Sequence, residues 1–382
     1  MPRHPHYAPV LEDLDSSVFS ALAARISAFQ GETYPLHVGD TWLEPAVGAR
    51  MEDLTVAAHP GMHRYASPHG LPALVDRLAQ RVADRTGMAT VGESVLLTTG
   101  ATGALGAVAG ALLEPGDEVL ILAPYWPLIP GIVRAFHGRP VAVPFFESAE
   151  PAGDVLERLA GAASDRTVAL YLNTPNNPTG QVIPKQLMEA IVALARQRGW
   201  WLWSDEVYED LLFQGEQVYC RTLAPERTFS AYSFSKAYGM AGNRCGYLVG
   251  PPDGMGEVRK ISTHTFYSSP TAGQLAALAA LGESGQEWLR KAKERYAATG
   301  QRVAERLGQR PPAGGTFLFL DVAEHLDERG LLGFLEDCAD RGLFLAPGPS
   351  CGPYPTHLRL CFTSAPPDIV ERGVSVLREM LS

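Results

Sequence analysis

Seven short apolar runs set among helical patterns constrain this chain more than any other feature. They cover residues 94–98, 118–122, 140–144, 167–172, 200–204, 229–232 and 245–249. Each is apolar almost throughout instead of alternating with polar residues, which is the pattern of strands covered on both faces. Between the fourth and fifth runs, residues 184–198 place Leu187, Ile191, Leu194 and Ala195 on one helical face, with Gly199 as the stop. The order predicts an α/β fold, a mostly parallel seven-stranded sheet sandwiched by helices.

After about Pro270 the texture changes. Long helical patterns run over 271–307, and short strands are expected at 317–321, 344–346 and 357–362, which together predict a smaller α+β domain. A chain of 382 residues is long enough for two domains, expected at 46–275 for the large one and at 1–45 with 276–382 for the small one. Apolar residues make up 46% and charged ones 19%, enough for a large core, and the net charge of −10 disfavours a nucleic-acid surface. The five cysteines are scattered without the paired spacing of a metal or redox site, so no metal is expected. No signal-like apolar stretch opens the chain, and the most apolar helical pattern, 101–113, falls short of the ~20 residues a membrane span needs. The expectation is a cytoplasmic protein with reduced cysteines and no membrane partner.

Lys236 carries the sharpest chemical signal. It lies in the stretch Ser233-Phe234-Ser235-Lys236, with Arg244 eight residues on. An amine attacks an aldehyde only when deprotonated, and two hydroxyls with a guanidinium beside it suit a phosphorylated aldehyde. Thr98-Thr99-Gly100-Ala101-Thr102-Gly103 follows one strand and opens a helix, so backbone N–H groups at Gly100 and Ala101 would face a phosphate. Asp205 stands at the mouth of the apolar run 200–204, where an unpaired carboxylate is costly and a protonated pyridine nitrogen would supply a partner. Its position also permits a helix N-cap.

The S-x-S-K-x-x-x-x-x-x-x-R-x-G pattern, with Asn173-Thr174-Pro175-Asn176-Asn177-Pro178-Thr179-Gly180 and Asp205-Glu206-Val207-Tyr208, resembles the fold-type I, class I/II aminotransferases of the aspartate/aromatic subgroup. The resemblance runs from about Leu36 to Phe362. It implies pyridoxal 5'-phosphate in Schiff-base linkage to Lys236, with the phosphate held by Gly100, Ala101, Thr102, Ser233, Ser235 and Arg244. Asn177 and Tyr208 would meet the phenolic oxygen of the ring and Asp205 its nitrogen. An aromatic residue after the strand at 118–122 would stack on the ring, Trp126 matching best and Tyr125 next. Arg359 would read the substrate carboxylate, and Gly39, in Val38-Gly39-Asp40, would close over it. Tyr65 resembles the tyrosine lent across a homodimer to the neighbour's phosphate, and the first 45 residues would pack with the small domain.

The implied reaction is transamination between an L-amino acid and a 2-oxo acid. The alternative on the same fold is a C–S lyase or another elimination or decarboxylation enzyme, which needs no oxo acid. A transcription regulator with an aminotransferase-like domain would need a fused DNA-binding segment of ~60 residues ahead of a pattern that here begins by about residue 36. Several aspartate enzymes of the subgroup carry a lysine where Thr102 stands, so its absence points to a neutral or aromatic donor. His37, Trp42, Leu43 and Tyr7 are the candidates to line that side-chain pocket.

Overall fold

A computed structural model describes residues 7–14, 22–146 and 152–382. Twelve strands are present among them: β1 (Tyr34–Pro35), β2 (Val95–Thr98), β3 (Glu118–Ala123), β4 (Arg139–Pro144), β5 (Thr167–Asn173), β6 (Trp201–Asp205), β7 (Thr228–Ser233), β8 (Gly246–Val249), β9 (Phe317–Asp321), β10 (Leu343–Phe344), β11 (Ala346–Pro347) and β12 (His357–Cys361). β2 to β8 build one seven-stranded sheet in the order β2-β8-β7-β6-β5-β3-β4. Only β8 runs antiparallel to its neighbours.

The near-continuous apolarity of these strands has the expected cause. Side chains alternate between faces, and both faces are covered: Val119, Ile121, Ala169 and Tyr171 enter one apolar cluster, while Leu120, Leu122, Leu170 and Leu172 enter another. The helix Gly100–Leu112 supplies Leu105 and Val108 to the first cluster, and the helix Lys185–Arg198 supplies Met188 and Ile191 to the second. Each fully buried leucine or isoleucine contributes ~1.5 to 3 kcal/mol. The second helix stops at Gly199, whose φ of 75° is a left-handed cap that a Cβ would disfavour.

A second layer is smaller. β11-β12-β9 form an antiparallel sheet and β1 pairs in parallel with β10. The strand expected at 344–346 is in fact two, β10 and β11, because the chain passes from one sheet to the other at Leu345. The helical pattern over 271–307 divides into Thr271–Ala280 and Glu283–Arg306, parted at Leu281 and Gly282. The first of these helices runs across the expected boundary at 275. No helix among the described residues is long and apolar enough to cross a membrane.

The C-terminal ends of β2, β3, β5, β6 and β7 open on one edge of the large sheet. In open α/β sheets that edge is where ligands sit.

Candidate active site

A cavity of about 190 Å³ lies at that edge, and Lys236 lines it. The lysine follows β7 by three residues, and its Nζ donates to the Gly39 carbonyl at 2.5 Å. Burial pushes the amine below its ordinary pKa, with Asp40 opposing. A neutral amine is the form that attacks a carbonyl.

One end of the cavity is rich in donors. Ala101 and Thr102, in the first turn of Gly100–Leu112, meet Ser233, Ser235 and Arg244 there. Gly100 has a φ of 71°, and a Cβ on it would come within 2.8 Å of the Arg244 guanidinium, so a glycine is what lets arginine and helix end approach. Arg244 is held by donating to the carbonyls of Ala241 at 2.9 Å and Thr99 at 3.3 Å. The helix N-terminus, hydroxyls and a fixed cation suit a phosphate.

The other end is built around Asp205, the last residue of β6, which is 3% exposed. Its Oδ2 accepts from the Tyr171 hydroxyl at 2.7 Å and its Oδ1 from the Val207 N–H at 3.4 Å. Burial raises this carboxyl to about 6, against the hydrogen bond from Tyr171. The helix-cap alternative fails, since only the short 3-10 turn Glu209–Leu211 follows and it has no side-chain cap. Tyr208 lines the cavity with its ring edge-on to Phe317 at 6.1 Å. Trp126 also lines it, whereas Tyr125 lies against Gly352 with its N–H on Cys351. Asn177 is oriented twice: its N–H donates to Asn173 Oδ1 at 2.7 Å, and its Oδ1 accepts from Arg359 at 3.1 Å. With that oxygen engaged, the amide nitrogen is left to donate.

Arg359 comes from β12, opposite Phe319. Its guanidinium lies 4.4 Å above the Phe317 ring and donates to the His37 carbonyl at 3.0 Å. The residue is 5% exposed, its Nε is buried without a partner, and no carboxylate pairs with it among the described residues. A buried cation without a counter-charge is costly, which marks the place as a receptor for an anion. Burial and Arg359 push the His37 imidazole down to about 4, so it adds no second charge at neutral pH.

Thirteen of the fourteen residues singled out for cofactor or substrate thus gather around one cavity, with Gly100 just behind the lining. Tyr65 is the exception. It is 92% exposed, outside the cavity, and packs edge-on to Tyr267 at 5.4 Å. The side-chain pocket expected from His37, Trp42, Leu43 and Tyr7 is corrected, because none of the four lines the cavity. Trp42 and Leu43 pack against the core, His37 packs on Phe344 and offers its carbonyl to Arg359, and Tyr7 is 88% exposed. Sequence reasoning passed over Tyr171, Asn173 and Phe317. Asn173 opens the Asn-Pro-rich string and could have been found there; the two aromatics read as ordinary core.

Residues 33–377 match the family described as aminotransferase class I and II. The chain is similar to the aspartate/prephenate aminotransferase of Thermus thermophilus, 33% identical over 83% of this chain and 84% of that protein. It is also similar to the arginine–pyruvate transaminase of Pseudomonas aeruginosa, 35% identical over 75% and 74%. A solved structure of Thermus thermophilus aspartate aminotransferase superposes with a TM-score of 0.90 at 28% identity, over 98% of this chain and 100% of that one.

Proposed function

The chain belongs to the class I and II aminotransferases, enzymes that use pyridoxal phosphate, and on that premise we propose that it moves the amino group of a neutral or aromatic L-amino acid to a 2-oxo acid at the Lys236 cavity. The residues fit the cofactor: a donor-rich end for the phosphate, the Trp126 indole for the ring face, and a buried carboxylate at the far end. Bound there, pyridoxal phosphate supplies an aldehyde for the amine and a protonated ring that accepts the electron pair left on the α-carbon.

In this reading Gly100, Ala101, Thr102, Ser233, Ser235 and Arg244 hold the phosphate. Asp205 pairs with the ring nitrogen, and Asn177 and Tyr208 donate to the phenolic oxygen. Lys236 would hold the cofactor aldehyde and, as base and then acid, would take and return a proton at the substrate α-carbon. The Arg359 fork receives the substrate carboxylate in two parallel bonds, with Asn177 beside it and Gly39 closing over. The observation that carries the reading is the buried Arg359 without a carboxylate partner among the described residues, set in the same cavity as a half-buried lysine.

Relatives named for aspartate and for arginine do not choose the donor. The cavity does better: among the described residues of one protomer its cations are Lys236, Arg244 and Arg359, each already employed, and Thr102 is neutral. A side-chain carboxylate left unpaired there would cost several kcal/mol. Steady-state turnover of single amino acids against pyruvate and 2-oxoglutarate should rank neutral or aromatic donors above aspartate. Aspartate as the best donor by a wide margin would contradict this pocket.

We further propose a cytoplasmic homodimer that binds neither nucleic acid nor membrane, with a large domain that begins at 46 and a small domain of 1–45 plus the C-terminal part, the boundary moved from 275 to the end of the helix Thr271–Ala280, whose Ala276, Ala277 and Ala280 pack in the large-domain core. Five free, buried cysteines suit a reducing compartment. Tyr65 would complete the neighbour's phosphate site. Its exposure, with that of Val47, Met51 and Val56 on the same stretch of chain, supports an interface there.

A further inference from the structure

Tyr171 has no part in those roles, yet its hydroxyl is spent on the site. It lies on β5 in the apolar layer with Trp203 and Phe229 and is fully buried. A phenol oxygen in such a layer is costly unless hydrogen-bonded. Its one bond goes to Asp205 Oδ2, at 2.7 Å. In the β5–β6 register Tyr171 faces Trp203, and Asp205 is two residues farther along, so the hydroxyl reaches the carboxylate diagonally from beneath. Among the described residues Oδ1 meets only the Val207 N–H, at 3.4 Å, and Asp205 borders the cavity.

We infer that Tyr171 is a positioning residue for the transamination site: it fixes Asp205 by one oxygen, holds it as the anion, and leaves the other oxygen for the pyridine nitrogen. The inference rests on the reading that Asp205 partners that nitrogen. Three titratable side chains face Asp205: Tyr171 from β5, Lys236 beyond β7 and Tyr208 from the loop after β6. Tyr171 alone among them donates a hydrogen bond to it. Burial, with Asp205 beside it, pushes the phenol well above its ordinary pKa, so it keeps its proton and acts only as a donor. A donor to the charged form favours that form, against the burial that raises the acid.

Tyr171→Phe keeps the ring and deletes the oxygen. The test compares the full-length wild type and variant for the dissociation constant of pyridoxal phosphate and of its analogue with C–H in place of the ring nitrogen. It adds the 15N chemical shift of the ring nitrogen in the loaded protein. The wild type should prefer the natural cofactor. The variant should lose roughly ten- to hundredfold for that cofactor, keep its affinity for the analogue, and show a ring nitrogen shifted toward the unprotonated value. Equal losses for both cofactors would mean a general loosening, and an unchanged 15N shift with no loss would mean no influence; either overturns the role of Tyr171. A wild type that does not distinguish the two cofactors overturns the Asp205 assignment itself, and the inference with it.

Discussion

At the end of β6, Ser204 and Glu206 turn to one face of the sheet and Asp205 to the other, because successive strand residues alternate. Asp205 reaches the Lys236 cavity. Glu206 is fully buried on the opposite side, where its Oε1 accepts from Ser204 at 2.7 Å and Ser230 at 3.2 Å. Burial outweighs those bonds and raises its carboxyl from 4.5 to about 8. At Glu206 the folded state therefore binds more protons than the unfolded chain across that window. The Glu206 contribution to stability should fall as pH rises from about 4.5 to about 8 and level off above it, with a slope of ~1.4 kcal/mol per pH unit. Glu206→Gln removes that contribution: in urea unfolding the variant should gain on the wild type steadily through the window and be the more stable at pH 8. Parallel pH profiles for the two proteins would show that another group is responsible.

Among the elements, the helix Pro72–Thr86 does for the loop after β6 what Tyr171 does for its last residue. Arg81 and Arg85 stand one turn apart on one face and meet Asp210 at 2.5 Å each, with Arg85 also 2.5 Å from Glu209. Burial works against the Asp210 carboxylate, but the two arginines outweigh it and hold the acid below its ordinary value. Arg81→Met should leave that acid underpaired and cost about 3 to 5 kcal/mol by chemical denaturation. A cost under about 1 kcal/mol would place the pair with solvent-screened bridges instead. The large-sheet strands were legible to within a residue or two, because a nearly unbroken apolar run on a covered strand leaves few other readings. β10 and β11 were not, since two-residue strands carry no period. The cavity residues were legible where a polar group breaks an apolar run, as Asp205 does. Tyr171 was not, because a tyrosine within such a run reads as core until the neighbouring strand is in register.

Across the whole molecule, the site joins parts of the chain that lie far apart. Lys236 bonds to Gly39 across 197 residues, Arg359 to Asn177 across 182 and Arg359 to His37 across 322. The N-terminal stretch is tied to the C-terminal sheet by β1 with β10 and by Asp40 and Trp42 with Thr363. The legible motifs thus became a site only through long-range packing that no local pattern encodes. On the proposed function, this packing delivers Lys236, of all the lysines, to the cofactor. Borohydride reduction of the cofactor-loaded protein followed by peptide mapping tests it most directly. The visible absorption band should disappear and the pyridoxyl label should sit on Lys236 alone, while Lys236→Ala should take no label; a label on any other lysine of the wild type would contradict the account.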